Sequence, residues 1–311
     1  MNRIIKTTAA LCLVLVMGFS FLSVESHATS YLQDTERALS LPNPHGFDRE
    51  YVSANKVQNK AVTSYAKGAV YINGGAIATD VRVINGVVYV ATRSFFEELT
   101  NMKVTYNAKT RILYINGAGL NMEIIDGGNV IYANGRTLYD VNPSVIMTNG
   151  RMYTPIEPIS RALGLSSSPY GSATQLKGEI KPLKSGEKFY DADAVYWLSR
   201  IISAESKGES LIGQIAVGNI VLNRVKSPLY PNTIWGVIFD RKYGVQFSPI
   251  LNGTIYNTPT AVSVTAAKIC LEGYSVSEEA LFFLQPRLST SSWIPKNREY
   301  LFTIGNHDFY R

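Results

Sequence analysis

The chain is 311 residues long, 46% hydrophobic and 17% charged, with a formal net charge of +6. This composition excludes a disordered polymer and a protein filled with membrane spans, and the length accommodates two ordinary domains. The cationic surplus suits an anionic polymer as partner; it is too small and too scattered for nucleic acid.

The first residues carry a secretory signature. Arg3 and Lys6 form a basic start, Ala9 to Leu22 is an uncharged apolar run, and Ser26-His27-Ala28 is a small-residue cleavage site. The run falls short of the roughly 20 residues that cross a bilayer, and no second run of that kind follows. Residues 1–28 are therefore expected to be a signal peptide, leaving a secreted, extracellular protein with no stable membrane anchor. Losing Arg3, Lys6 and Glu25 takes the net charge from +6 to +5. Cys12 lies too early to be a lipidation site. Cys270 alone survives cleavage, which excludes an intramolecular disulfide, and its helical surroundings make it a small buried hydrophobe.

Residues 29–67 are polar and aperiodic, a tether. From Gly68 to Leu165 the pattern changes to short alternating strands punctuated by Asn-Gly. Val70-Tyr71-Ile72 runs into a turn at Asn73-Gly74, and residues 83–90 form a hairpin across Asn85-Gly86, the strongest short-range hairpin signal. A short helix over 95–99 follows, then strands at 103–106 and 111–115. The order recurs at Asn149-Gly150-Arg151-Met152-Tyr153-Thr154-Pro155, with a helix through Ile159 to Leu163 that Gly164 stops. Asn85 to Asn149 and Tyr89 to Tyr153 share an offset of 64 residues. This marks a duplicated hairpin-plus-helix unit, whose second copy is expected to lack its final strands.

The repeat resembles the copper amine oxidase N-terminal-like domain of secreted bacterial proteins, whose signature is an N-G-R-x-Y-V-P turn before a helix. The second copy departs from it only at Thr154, the first at Val87 and Ala91. The resemblance does not carry copper with it, because residues 68–165 hold no His and no Cys. A non-catalytic module, wall-binding by expectation, fits this stretch. Residues 166–190, rich in Ser, Gly, Lys and Pro, are expected to be a linker.

Periodicity resumes at residue 191. Asp191 or Asp193 is a candidate N-cap for a helix through Val195, Leu198, Ile201 and Ile202. The same face reaches Glu205, three residues beyond Ile202 and four beyond Ile201. If the helix continues, a carboxylate sits on an apolar stripe, where burial raises its pKa and keeps it protonated as a general acid for glycosidic cleavage. If the helix ends early, Glu205 is a solvated last-turn residue. A second helix over 211–225 and a third over 259–272, with Thr258 as N-cap, Pro259 at its first position and Gly273 past its end, serve as scaffold.

Residues 196–311 resemble the SleB-type cell wall hydrolases, the spore cortex-lytic family. The matching stretches are Trp197 to Glu209, Gly213 to Asn219, Val221 to Val225, Pro231 to Ile234, Gln246 to Pro249 and Gly305 to Tyr310. Departures are Ser203 and Ser206 for the frequent Tyr and Ala, and Leu284-Gln285-Pro286 for Asn-Pro. The resemblance implies that Glu205, in the A-E-x-x-G-E motif, is the acid. It further implies a mostly helical, lysozyme-like catalytic domain with a small β element over 191–311, so the whole chain is expected to be α+β.

Gln246, Phe247 and Ser248, on an aperiodic loop, are candidate sugar contacts, and Tyr243, Phe247, Tyr256, Tyr274, Phe282, Phe283 and Trp293 offer flat faces, only a minority of which would line a groove. Glu209 could hold substrate, although a charge near a helix start is ordinarily a dipole partner. His307 matches the family's closing motif and is expected to be structural first.

A zinc amidase needs three protein ligands, typically drawn from His, Cys, Asp and Glu, and with two His, His45 and His307, and one apparently buried Cys in the mature chain such a site is poorly supplied. No G-x-S-x-G elbow is present. Hydrolysis of a glycan calls for two carboxylates, with Glu209 and Asp240 as weak second candidates. A lytic transglycosylase needs only Glu205. The expected function is cleavage of the peptidoglycan glycan strand of cell wall or spore cortex, with no cofactor or metal, peptidoglycan as partner and an accessory wall or spore protein as a further candidate. The alternatives are an N-acetylmuramoyl-L-alanine amidase-type hydrolase and a non-catalytic wall-binding protein.

Overall fold

The computed structural model describes residues 66–99, 102–140, 145–171, 173–242, 244–289 and 292–311. The expected signal peptide and nearly all of the tether lie outside them. As the patterning requires, the chain is α+β, with β-sheets in the N-terminal half and mostly helices in the C-terminal half.

The N-terminal half contains β1 (Ala66–Lys67), β2 (Val70–Ile72), β3 (Gly75–Ala76), β4 (Val81–Ile84), β5 (Val87–Ala91), helix α1 (Thr92–Glu97), β6 (Lys103–Asn107), β7 (Ile112–Gly117), β8 (Leu120–Ile125), β9 (Val130–Ala133), β10 (Arg136–Tyr139), β11 (Ile146–Thr148), β12 (Arg151–Pro155), helix α2 (Ile156–Leu163), β13 (Ser166–Tyr170) and β14 (Ala173–Lys177). Asn73-Gly74, Asn85-Gly86, Asn134-Gly135 and Asn149-Gly150 all have positive φ at both residues. That is the mirror-image turn whose twist suits a hairpin.

The two copies of the repeat pair edge to edge. Strand β12 runs antiparallel to β5 with Tyr153 opposite Ala91, Thr154 opposite Val90 and Pro155 opposite Tyr89. The register is therefore symmetric about Val90 and Thr154, themselves equivalent positions of the repeat, and the five-stranded sheet runs β1-β4-β5-β12-β11. The second copy does have its final strands. Ser166–Tyr170 and Ala173–Lys177, expected to be linker, form an antiparallel pair after α2 as β6 and β7 do after α1, and β14 adds parallel to β2. Serines at 166–168 conceal the first strand, which lies at the sheet edge and is mostly exposed, so no apolar alternation is needed there. The rest of the expected linker is tied down: Lys181 N donates to Leu163 O, Leu183 N to Ala162 O and Gly186 N to Asn134 O, at 2.9, 3.1 and 2.8 Å.

Strands β6 to β10 form a meander ordered β10-β9-β8-β7-β6. Its two faces serve different cores. In β9, Ile131 and Ala133 join the core of the N-terminal half, while Val130 and Tyr132 join Leu198, Ile201 and Ile202 in the core of the C-terminal half. A strand buried on both faces reads as a continuous apolar run, not as alternation.

The C-terminal half comprises α3 (Gly186–Phe189), α4 (Ala192–Ser206), α5 (Leu211–Lys226), α6 (Ile234–Phe239), α7 (Pro249–Asn252), a 3-10 turn (Thr254–Tyr256), α8 (Ala261–Leu271), β15 (Phe282–Leu284), α9 (Trp293–Asn297), β16 (Tyr300–Ile304) and β17 (His307–Tyr310). Helices α4, α5 and α8 pack on one another, and the three final strands form a sheet ordered β15-β17-β16. The third helix starts later than its Thr-Pro signal suggests. Thr260 caps it, its hydroxyl accepting from Ser263 N at 3.1 Å, while its own N–H donates to Ser203 Oγ at 3.2 Å. A contact from α4 thus selects the second of two threonines.

The halves are joined through Glu272, whose side chain is 2% exposed. It accepts from Arg136 Nε at 2.7 Å and Nη2 at 2.5 Å, and from the Tyr190 hydroxyl at 2.6 Å. Tyr190 also accepts from Thr137 N at 3.0 Å, and the ring of Tyr139 meets Tyr274 edge-on at 4.7 Å.

Candidate active site

Asp191 caps α4, its Oδ1 accepting from Ala194 N at 2.8 Å. Val195, Leu198, Ile201 and Ile202 then bury one face of the helix completely. The helix runs on to Ser206, so Glu205 remains helical and continues this stripe. Glu205 is half-buried, and burial alone pushes its carboxyl up to about 7. No hydrogen bond or ion pair reaches it among the described residues, so no donor stabilises the ionised form. An acid in that condition holds its proton near neutrality and can release it to a leaving oxygen.

Glu209 lies four residues on, in a different setting. Its Oε2 accepts from Asn306 N at 3.2 Å and its Oε1 from Asn306 Nδ2 at 2.8 Å. A Cβ at Gly305, where φ is +57°, would collide with Oε2. Glu209 therefore clamps the turn between β16 and β17. The buried His307 sits beside it, Nδ1 3.8 Å from Glu209 Oε1, and burial lowers its pKa. Asp240, the other weak partner, accepts from Lys242 N at 2.9 Å in its own loop.

The loop at 243–249 divides the sugar-contact candidates. Tyr243 lies outside the described residues. Phe247 is 2% exposed and belongs to the core with Leu198 and Ile201; its ring stands 5.2 Å from the Arg224 guanidinium. Its expected role as a sugar contact is corrected accordingly, since a ring with no free face packs and does not bind. Gln246 is half-buried, accepting from Arg224 Nη1 at 3.4 Å and donating to Gly244 O at 3.1 Å, and Ser248 is exposed. Tyr274, Phe282 and Phe283 are half-buried. Among the flat faces proposed, Tyr256 and Trp293 stand most open.

The polar residues of the α5 motif are scaffold. Asn219 donates to Tyr274 O at 3.0 Å and accepts from Val276 N at 2.8 Å; Asn223 donates to Ser277 O and Ala280 O; Arg224 Nε donates to Leu281 O at 2.8 Å. One helix face thus fixes the backbone of residues 274–281. Cys270 is buried, its thiol donating to Ile215 O at 3.4 Å, and burial pushes its pKa well up. Sequence reasoning missed the exposed Trp235, which sits in no periodic pattern and outside the motif's polar residues. Among the described residues, no three His, Cys, Asp or Glu side chains come together as metal ligands would.

Residues 208–310 match the Cell Wall Hydrolase family and residues 52–175 the copper amine oxidase N-terminal domain. The spore cortex-lytic enzyme of Bacillus subtilis (strain 168) is 37% identical over 112 residues, 36% of this chain and 35% of that protein. That of Bacillus cereus is 34% identical over 120 residues, 39% of this chain and 45% of the relative. The chain thus spans under half the length of these relatives. The solved catalytic domain of the germination-specific lytic transglycosylase SleB from Bacillus anthracis is 32% identical, covering 42% of this chain and all of that domain, with a TM-score of 0.37. The Bacillus cereus SleB catalytic domain is 34% identical over 39% of this chain and 92% of its own, with a TM-score of 0.36. Glu205 lies just before the matched family segment, at the end of the helix that leads into it. The chain therefore carries a SleB-type cell wall hydrolase domain in its C-terminal half, with a copper amine oxidase N-terminal domain ahead of it.

Proposed function

We propose that this protein is a secreted lytic transglycosylase that cleaves the glycan strand of peptidoglycan, in cell wall or spore cortex, with Glu205 as its single acid and base. Residues 191–311 would form the catalytic unit and the duplicated module a non-catalytic wall-binding one. The observation that carries the reading is the carboxyl of Glu205, lifted to about 7 by burial alone at the end of α4. In the first step the Glu205 carboxylic acid gives its proton to the glycosidic oxygen as the bond from that oxygen to the sugar's anomeric carbon breaks. The resulting carboxylate then takes the proton of the muramic acid's own hydroxyl as that oxygen bonds to the anomeric carbon, closing an anhydro ring and restoring the acid. Water is not consumed. A second carboxylate is not required, consistent with Glu209 and Asp240 being engaged elsewhere.

Gln246, Ser248 and Tyr243 remain candidate sugar contacts in this reading, while Glu209 and His307 support the turn between β16 and β17. Mass spectrometry of digested wall tests it: anhydro-muramic ends are expected, whereas reducing ends alone would mean hydrolysis and free stem peptides an amidase. Running the digestion on vegetative wall and on spore cortex identifies the natural substrate.

A further inference from the structure

Glu205 lies at one end of α4. At the other end is a cleft of about 390 Å³ lined by Asp191, Asp193, Trp197, Thr233, Ile234 and Trp235. Trp235 is 55% exposed, unusual for so large an apolar ring. It is held in place, stacked on Phe239 with centroids 5.0 Å apart and the planes 27° from parallel. Phe239 meets Trp197 edge-on at 5.2 Å, and Trp197 meets the half-exposed Tyr256 at 6.4 Å. The four rings are thus in unbroken contact from Trp235 to Tyr256, and the exposed Asp193 lines the same cleft as Trp235.

We propose that this cleft is a remote glycan subsite, in which the face of Trp235 carries a sugar ring of the strand being cleaved and Asp193 accepts hydrogen bonds from its hydroxyls. A pyranose presents C–H groups on its face and hydroxyls at its rim, and a rigid indole flanked by a carboxylate matches both, the hydroxyl bonds being strengthened by the acceptor's charge. Twelve residues of helix separate Asp193 from Glu205, roughly 18 Å at the α-helical rise. A strand several sugars long, seated at Trp235, would therefore reach the acid. The inference rests on the glycan-cleaving reading for its substrate.

The test is binding of the full chain carrying Glu205→Gln to peptide-free peptidoglycan glycan strands, by calorimetry, with cleavage of long strands measured in the active chain. Trp235→Ala is expected to weaken binding about tenfold, the scale of losing one aromatic anchor, and to raise KM with kcat largely kept. Trp235→Tyr, which keeps a flat ring, should recover most of the affinity, and Leu288→Ala, an exposed apolar control that does not line the cleft, should bind normally. Unchanged binding in Trp235→Ala overturns the proposal, as does a loss seen only with stem peptides, which would make the cleft a site for their amines. A fall in kcat with KM unchanged also overturns it. Because binding to the Glu205→Gln chain needs no chemistry, failure of the transglycosylase reading would appear separately, as absent anhydro ends.

Discussion

Two glutamates four residues apart receive opposite treatment from their surroundings. Glu205 is shifted by burial alone, so its proton is held up to about pH 7; Glu209 is satisfied by Asn306 and serves as a clamp. Replacing Glu205 by Gln preserves shape and removes the proton, and wall-lytic activity should fall by at least a hundredfold in a turbidity assay. In the unsubstituted chain, lysis should decline as pH rises through about 7, because only the protonated form can donate. Stability carries the same signature. The folded carboxyl binds its proton more tightly than the unfolded one, so its ionisation costs stability as pH climbs from the ordinary carboxylate range towards 7 and above. Glu205→Gln should therefore match the unsubstituted chain near pH 4 in urea titrations and exceed it by about 1–3 kcal/mol at pH 8, the partial exposure being allowed for. Glu209→Ala should instead lower stability by about 1–3 kcal/mol through the unpaired turn, with lysis at low temperature largely retained.

Among the elements, the contact of α4, α5 and α8 is the tightest. A Cβ at Gly218 on α5 would lie 2.8 Å from both Cys270 Sγ on α8 and Ile202 Cδ1 on α4. Gly218→Ala is expected to destabilise the fold by about 1–3 kcal/mol, seen as a lower urea midpoint, and to disturb Glu205 through the shift of Ile202 three residues before it. The elements that sequence patterning located, the Asn-Gly hairpins and α4, are those whose local chemistry dictates their backbone. Asp191 and the spacing from Val195 to Glu205 mark α4 without reference to any other helix. The start of α8 and the strands at 166–177 were not legible in this way. Thr260 outcompetes Thr258 because Ser203 accepts its N–H, and β14 is recruited by β2, about a hundred residues earlier, through a parallel pairing that no local signal announces.

For the whole molecule, the repeat module and the enzyme domain share a core and a buried ion pair. Glu272 with Arg136 and Tyr190 forms a latch in which both charges are largely removed from water. Taking away the carboxylate leaves the buried guanidinium without its partner, so Glu272→Ala should cost about 3–5 kcal/mol. Calorimetry should show a lower or divided melting transition, with faster proteolysis between residues 178 and 190. A single unshifted transition would mean that the ion pair contributes nothing to docking.

By itself the sequence determined the α+β class, the duplication with its 64-residue offset, and the helix that brings a carboxylate onto an aliphatic stripe, because turn chemistry, periodicity and capping act over a few residues. It left open whether Glu205 was buried or solvated, and it cast Phe247 as a ligand contact and residues 166–177 as linker. Those outcomes belonged to the tertiary structure. The pKa of a carboxyl, the accessibility of a ring and the recruitment of an edge strand all depend on what neighbouring elements remove from water, and those neighbours lie tens to a hundred residues away along the chain.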